Sequence, residues 1–193
     1  MKKLLILPIL ALFTVALTAQ TTYNADVAAS KIEWKGYKVT GQHNGDVKVK
    51  SGSLQMKDGK LVGGSFEVDM NSITCLDMSG EYGNKLVGHL KSDDFFGSAK
   101  YPTAKYVITK AIPTDSKGNY KLVGNLTIKS TTKEVKFNAF VSEANGVVTA
   151  SGKMVVDRSE FDVRFGSGSF FDGLGDKTIY DDFDLQITLS AKK

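Results

Sequence analysis

Apolar and polar residues alternate one by one in eight segments of this 193-residue chain, and this period of two constrains the fold most. In the segment 182–191 four apolar side chains fall on one face and four polar side chains on the other. Successive side chains of a β-strand point to opposite faces of the sheet, so each segment is predicted to be a half-buried strand. The predicted strands are 31–39, 46–54, 61–69, 104–111, 120–128, 133–142, 147–157 and 182–191.

Eight such strands hide their apolar faces and leave no exposed edge if they close into an antiparallel barrel. A two-sheet sandwich also satisfies the alternation and stays open as an alternative. Small residues on the apolar faces favour a barrel whose side chains do not fill its interior, although glycines can also mark bends and bulges. These small residues are Gly36, Gly64, Gly124, Ala139, Ala150 and Gly152.

One segment departs from the alternation. Tyr82, Leu86 and Leu90 recur every four residues, which predicts a short amphipathic helix near 82–92. Its continuation, 93–97, contains two adjacent phenylalanines in a polar loop, and we expect helix and loop to close over the β-strands. The segment 158–180, rich in Gly, Asp and Phe, is predicted to be a loop with a single helical turn at 159–163. The fold class is therefore all-β with one short helix.

The start of the chain is typical of a secretory signal. Lys2 and Lys3 precede an apolar run at 4–17, which is shorter than the roughly 20 residues that span a bilayer. We predict a signal peptide at 1–19, a single domain at 20–193 without a transmembrane span, and a periplasmic or secreted location. Cys75 is the only cysteine, so no disulfide can form within the chain. The 25 basic residues are interspersed with 21 acidic ones, a balance that does not favour nucleic acid as a partner.

Several short runs together resemble the YceI-like family of lipid-binding proteins. The signature runs are His89-Leu90-Lys91-Ser92, Asp94-Phe95-Phe96 and Tyr101-Pro102. Further matching positions are Trp34 with Gly36, His43 with Gly45, Val68-Asp69 with Ser72-Ile73, Gly124-Asn125-Leu126-Thr127-Ile128, and Asp157-Arg158 with Phe161 and Val163. Two positions depart from the pattern, because Gly97 stands where an acidic residue is common and Ser130 where a glycine is common.

The resemblance implies a lipocalin-like barrel with a long internal cavity for a polyisoprenoid, quinone-like or other long amphiphile, held for carriage or storage. No cofactor is implied besides this bound amphiphile, and we expect a monomer or a weak homodimer. The residues predicted to line the cavity or its mouth are Trp34, Phe66, Val68, Leu86, Leu90, Phe95, Phe96, Leu126, Phe137, Ala139, Ala150, Met154, Phe165 and Leu185.

Catalysis has weaker support in the sequence. Cys75 with His89 could form a thiol–imidazole pair, but no nucleophile motif surrounds Cys75. As metal ligands, His43, His89 and Cys75 lack the close spacing of zinc sites. The Asp157-Arg158 pair is interpreted as a tie for the long loop that follows it. The chain is therefore predicted not to be an enzyme and to hold no metal.

Two other kinds of barrel compete with a lipid carrier. A transmembrane barrel would be apolar outward, whereas Lys48 and Lys50 occupy an outward face here. A barrel with a packed interior, acting as a protein-interaction or surface module without lipid, stays open.

Overall fold

The computed structural model describes residues 19–193, so the predicted signal segment, apart from Ala19, lies outside the described residues. Within 19–193 nine strands and one α-helix form, with short 3₁₀ turns at Met70–Ser72, Arg158–Phe161 and Gly175–Lys177. The strands are β1 Thr21–Ala25, β2 Lys31–Lys38, β3 Gly41–Lys57, β4 Lys60–Asp69, β5 Thr103–Pro113, β6 Asn119–Ile128, β7 Thr131–Ala144, β8 Val147–Asp157 and β9 Ile179–Lys192, and the helix is α1 Gly80–Lys91.

The strands β2 to β9 close into an antiparallel barrel, because each of them pairs with a neighbour on both sides and β3 also pairs with β4. Closure confirms the predicted eight-stranded barrel and excludes the two-sheet sandwich. The additional strand β1 pairs with Ser53–Met56 of β3 and with the end of β9. It thereby continues the line of β2, which pairs with earlier residues of β3 and β9.

The two ends of the barrel are built differently. At the closed end, short turns join β3 to β4, β5 to β6 and β7 to β8, and β1 packs beside the end of β9. Four side chains packed inside the closed end, Tyr23, Leu54, Leu61 and Val148, are at most 2% exposed. At the mouth end, the connection that contains α1 joins β4 to β5, and the long loop 158–178 joins β8 to β9.

Two predicted orientations are wrong. In β4 the alternation places Val62 on the inner face, but a register shift between β3 and β4 turns it outward, 42% exposed, while Leu61 is buried. A β-bulge inserts one residue and so exchanges the two faces of a strand. In α1 the side chain of Tyr82 is 77% exposed, and only the later part of the predicted apolar stripe, Leu86 and Leu90, faces the barrel.

Small residues on the inner face have more than one role. A Cβ atom at Gly124 would lie 2.4 Å from Cζ of Tyr106, and one at Gly152 would lie 3.1 Å from the Phe137 ring. Both glycines therefore admit an aromatic ring from the neighbouring strand, and the two rings meet edge to face with centroids 5.6 Å apart. Gly36 has no atom within 4 Å of its Cβ position and does leave open space.

Candidate functional site

A cavity of about 500 Å³ runs inside the barrel from the closed end to the mouth end. This volume is typical of ligand pockets, which span about 300–1,000 Å³. All fourteen residues that the sequence analysis selected border it, so the structure places them on one continuous wall. Their part in ligand binding stays a prediction.

The floor and the middle of the cavity are apolar. Leu54 and Leu61 form the floor, and their side chains are fully buried in the closed end. Tyr106 spans the middle of the wall and donates a hydrogen bond from its hydroxyl to the Val135 carbonyl, 3.0 Å away. Burial raises the pKa of Tyr106, so this hydroxyl stays protonated at neutral pH. A long apolar chain would meet few polar atoms here.

The mouth is roofed by α1 and the Phe-Phe turn that follows it. The Phe96 amide donates to the Leu90 carbonyl at 3.1 Å, which folds the turn back against the end of the helix. Gly97 has a φ of +58°, a left-handed conformation that glycine adopts without steric cost, so this departure from the family pattern suits the turn. Phe96 also contacts Phe183 of β9 edge to face. The expectation that helix and loop lie over the strands is thereby confirmed.

Arg158 anchors the long loop 158–178 at the mouth. Its side chain is 2% exposed and donates to the carbonyls of Val163, Ile179 and Tyr180 at 2.8, 2.9 and 3.2 Å. Its Nη2 also lies 3.3 Å from a carboxylate oxygen of Asp181. Burial lowers the pKa of this guanidinium while the neighbouring carboxylate opposes that shift. These contacts agree with the structural interpretation of Arg158 as a loop tie.

A second polar cluster lies at the start of β3. The Asp77 carboxylate accepts from the Asn44 amide at 2.9 Å and from Cys75 Sγ at 3.3 Å, and lies 2.8 Å from His43 Nδ1. Burial alone would raise the pKa of Asp77, but these hydrogen bonds outweigh it and lower the pKa to about 2. Burial raises the pKa of Cys75, which keeps it a thiol.

These contacts bear on the catalytic and metal hypotheses. Among the described residues Cys75 donates its hydrogen bond to Asp77 and not to His89, so the thiol–imidazole pair is not assembled there. Across residues 19–193 no group of three His, Cys, Asp or Glu side chains is placed to hold a metal ion.

His89 is a wall residue that the sequence analysis did not select for ligand binding. It lies on α1, and its ring contacts Phe165 and Phe95 edge to face, with centroid distances of 4.4 and 5.7 Å. Its Nε2 is buried and has no hydrogen-bond partner among the described residues. An unpaired buried polar atom costs about 1–3 kcal/mol.

The sequence gives only a weak indication that His89 belongs to the cavity wall. His89 lies one residue before the inward-facing Leu90, in a family-like run, but its lack of a partner depends on distant residues. Tyr106, Arg158 and Phe183 also border the cavity and were not among the selected residues. The alternation does place Tyr106 and Phe183 on the inner faces of their strands.

Known proteins resemble this chain in sequence and in fold. The model of the YceI-like domain family matches residues 23–191. A curated relative, a UPF0312 protein of Shewanella denitrificans, is 32% identical over 88 residues. That match covers 46% of this chain and 44% of the relative, so the chain spans less than half of that protein's length. Within residues 19–193, α1 and the 3₁₀ turns are too short or too polar to cross a membrane.

Two solved structures share the fold. BcnA of Burkholderia cenocepacia is 22% identical with a TM-score of 0.68, over 87% of this chain and 99% of that one. A polyisoprenoid binding domain from Saccharophagus degradans, implicated in plant cell wall breakdown, is 11% identical with a TM-score of 0.65. That match covers 88% of this chain and 97% of the other.

Proposed function

Because this chain belongs to the YceI-like family, we propose that it binds one long amphiphile, with the tail inside the barrel and the polar end at the mouth. The observation that carries the proposal is the apolar cavity of about 500 Å³ that reaches from Leu54 and Leu61 at the closed end to Leu86 and Phe96 at the mouth. A polyisoprenoid or quinone-like chain fits such a space. The name of the Saccharophagus degradans domain supports the same ligand class.

The physical chemistry favours a lipid over an empty barrel. A tail of about 30 carbons that gains about 0.3 kcal/mol per atom reaches about 9 kcal/mol, or submicromolar affinity. An apolar void would only destabilise a barrel that acts as an interaction module, because the side chains along the void lose van der Waals contacts. The role that follows is carriage or storage of the lipid, without catalysis.

Mass spectrometry of protein purified without detergent tests the proposal. Organic extracts should contain a stoichiometric amphiphile, and adding isoprenoids to delipidated protein should raise its melting temperature. Trp34, the only tryptophan, borders the cavity, so its fluorescence should change with the same stoichiometry. An extract without amphiphile, together with an unchanged melting temperature, would exclude the carrier function.

We also propose that the protein is exported. The charged and then apolar start of the chain supports cleavage after Ala19 and a location in the periplasm or outside the cell, where we expect a monomer or a weak dimer. Intact-mass measurement on protein from its native host should give a chain that begins near Gln20. Recovery of the uncleaved chain from the envelope fraction would contradict export by this route.

A further inference from the structure

We propose that His89 Nε2 forms a hydrogen bond with the polar end of the ligand, and that this end is an uncharged oxygen group such as a hydroxyl, an amide or a quinone carbonyl. This inference rests on the proposed lipid binding and names the ligand's head group. In the described residues three buried side-chain atoms lack a hydrogen-bond partner: Asp46 Oδ1, His89 Nε2 and Asp181 Oδ1. Of their side chains, only His89 borders the cavity.

Three other polar side chains on the wall already have partners. Trp34 Nε1 donates to the Thr74 carbonyl at 3.0 Å, and the Tyr106 hydroxyl donates to Val135. Arg158 directs its guanidinium at the carbonyls of Val163, Ile179 and Tyr180 and at Asp181. A ligand oxygen that enters the buried part of the mouth therefore meets one nitrogen whose hydrogen bond is unmade.

The surroundings of His89 select against a charged head group. Two phenyl rings, Phe95 and Phe165, contact the imidazole, and a phosphate beside them would lose part of its hydration to apolar surface. The guanidinium of Arg158 packs over the Phe95 ring and already donates to the carbonyls of Val163, Ile179 and Tyr180. A neutral imidazole can donate or accept at Nε2 according to its tautomer, so it suits both hydroxyl and carbonyl oxygens.

The head group reaches Nε2 by displacing Phe165. This ring lies on the loop 158–178 and is 46% exposed, whereas Phe95 is 6% exposed. Phe165 is therefore the neighbour that can move without opening the core. Removing the ring with Phe165→Ala should speed ligand entry.

A set of ligands with one tail and different ends tests the inference. Geranylgeraniol, the same chain without the hydroxyl, and geranylgeranyl phosphate are titrated into delipidated protein while Trp34 emission is recorded. The parent protein should bind the alcohol about five- to tenfold more tightly than the hydrocarbon, as one hydrogen bond allows. His89→Leu should abolish this ratio, and His89→Gln should restore part of it.

The other histidine provides a matched control. His43 also borders the cavity, but its Nδ1 is paired with Asp77, so His43→Leu should keep the ratio of alcohol to hydrocarbon. A ratio lost in His43→Leu and kept in His89→Leu would overturn the inference. The inference would also be overturned if the phosphate bound most tightly and if Lys38→Ala or Lys177→Ala weakened that binding. Both lysine side chains border the cavity at the mouth.

Measurements on delipidated protein separate the head-group assignment from the carrier function itself. His89→Leu removes an unpaired buried nitrogen and should raise the melting temperature of the empty barrel by about 2–4 °C. A lower melting temperature would count against an unpaired Nε2. If no ligand of the set binds the parent protein, the carrier function itself fails, whereas equal ratios in parent and His89→Leu refute only the head-group assignment.

Discussion

The closed end and the mouth end of this barrel use the same strands but hold them together by different means. At the closed end tight turns connect neighbouring strands, and apolar side chains such as Leu54 and Val148 are fully buried. At the mouth long connections return over the opening, and aromatic side chains such as Phe171 and Tyr180 are about half exposed, 50% and 51%. Stability therefore comes from packing at the closed end, and at the mouth from a few polar ties together with buried side chains such as Phe161 and Val163.

This difference matches the two requirements of the proposed carrier function. A floor that never opens can be packed densely, since nothing passes through it. A mouth that admits a ligand needs segments that can move, and such segments carry fewer buried apolar contacts. Arg158 and Asp77 compensate by fixing the base of each mouth segment through hydrogen bonds.

The largest expected effect comes from the polar tie at the mouth. Arg158→Met should lower the free energy of unfolding by about 3–5 kcal/mol, because the carbonyls of Val163, Ile179 and Tyr180 and the Asp181 carboxylate lose their buried partner. Chemical denaturation of the delipidated protein measures the change.

Arg158→Lys serves as the control for charge alone. An ammonium cannot reproduce the planar fork that reaches Val163 and Ile179 together, so it should recover only a small part of the lost stability. Full recovery would mean that the mouth is held by charge and not by directed hydrogen bonds.

A pair of leucine substitutions compares the two ends directly. Leu54→Ala at the floor should cost about 2–5 kcal/mol of unfolding free energy, since a fully buried side chain leaves a void. Leu86→Ala on α1 removes a side chain that is only partly buried and should cost about 1 kcal/mol. Denaturation curves give both values, and similar losses at the two positions would contradict the division between packed floor and mobile mouth.

Ligand affinity should respond to the same pair in a different way. Leu54→Ala deepens the cavity and leaves the mouth intact, so titration should show retained lipid binding. Leu86→Ala removes part of the roof over the ligand, and its loss of affinity should exceed its loss of stability.

The alternation predicted most of the barrel because each inner face is buried along nearly its whole length. It failed where geometry depends on a partner strand, as at Val62, where a bulge against β3 exchanges the faces. The strand β1 was not predicted, since Tyr23 is its only large apolar residue and five residues are too few to show a period. Its burial depends on pairing with β3 and β9, which are distant in sequence.

The cavity wall was also largely predictable, because inner faces and wall coincide in a barrel. The role proposed for His89 was not predictable from the sequence. Its significance lies in the absence of a hydrogen-bond partner near Phe95 and Phe165, and that environment arises only when the loop 158–178 folds over α1. Likewise the glycines suggested open space, whereas Gly124 and Gly152 admit the rings of Tyr106 and Phe137.

Filling the cavity should affect binding more than stability. Ala139 and Ala150 border the cavity, so Ala139→Trp or Ala150→Phe should place apolar surface where the tail would lie. Lipid content by mass spectrometry should fall, and the delipidated variants should equal or exceed the delipidated parent by up to about 1.5–3 kcal/mol. Destabilisation of both variants by about 1–3 kcal/mol with lipid retained would show a filled interior at these positions.

The smallest expected effect concerns Asp77, the polar tie on the other side of the mouth. Its folded-state pKa of about 2 lies below the ordinary value of 3.8, so the carboxylate stabilises the fold above about pH 4 and loses that contribution as the pH falls towards 2. The change should be about 1–2 kcal/mol, because the side chain is partly exposed.

Asp77→Asn should therefore be less stable than the parent at pH 7 by about this amount, and the difference should vanish near pH 2, where the parent carboxylate becomes protonated. Urea denaturation at a series of pH values measures the difference, with Asp94→Asn as the control at an exposed position of the neighbouring turn. A difference that stays constant with pH would mean that Asp77 acts through shape alone. The charge on its carboxylate would then contribute nothing to holding the mouth.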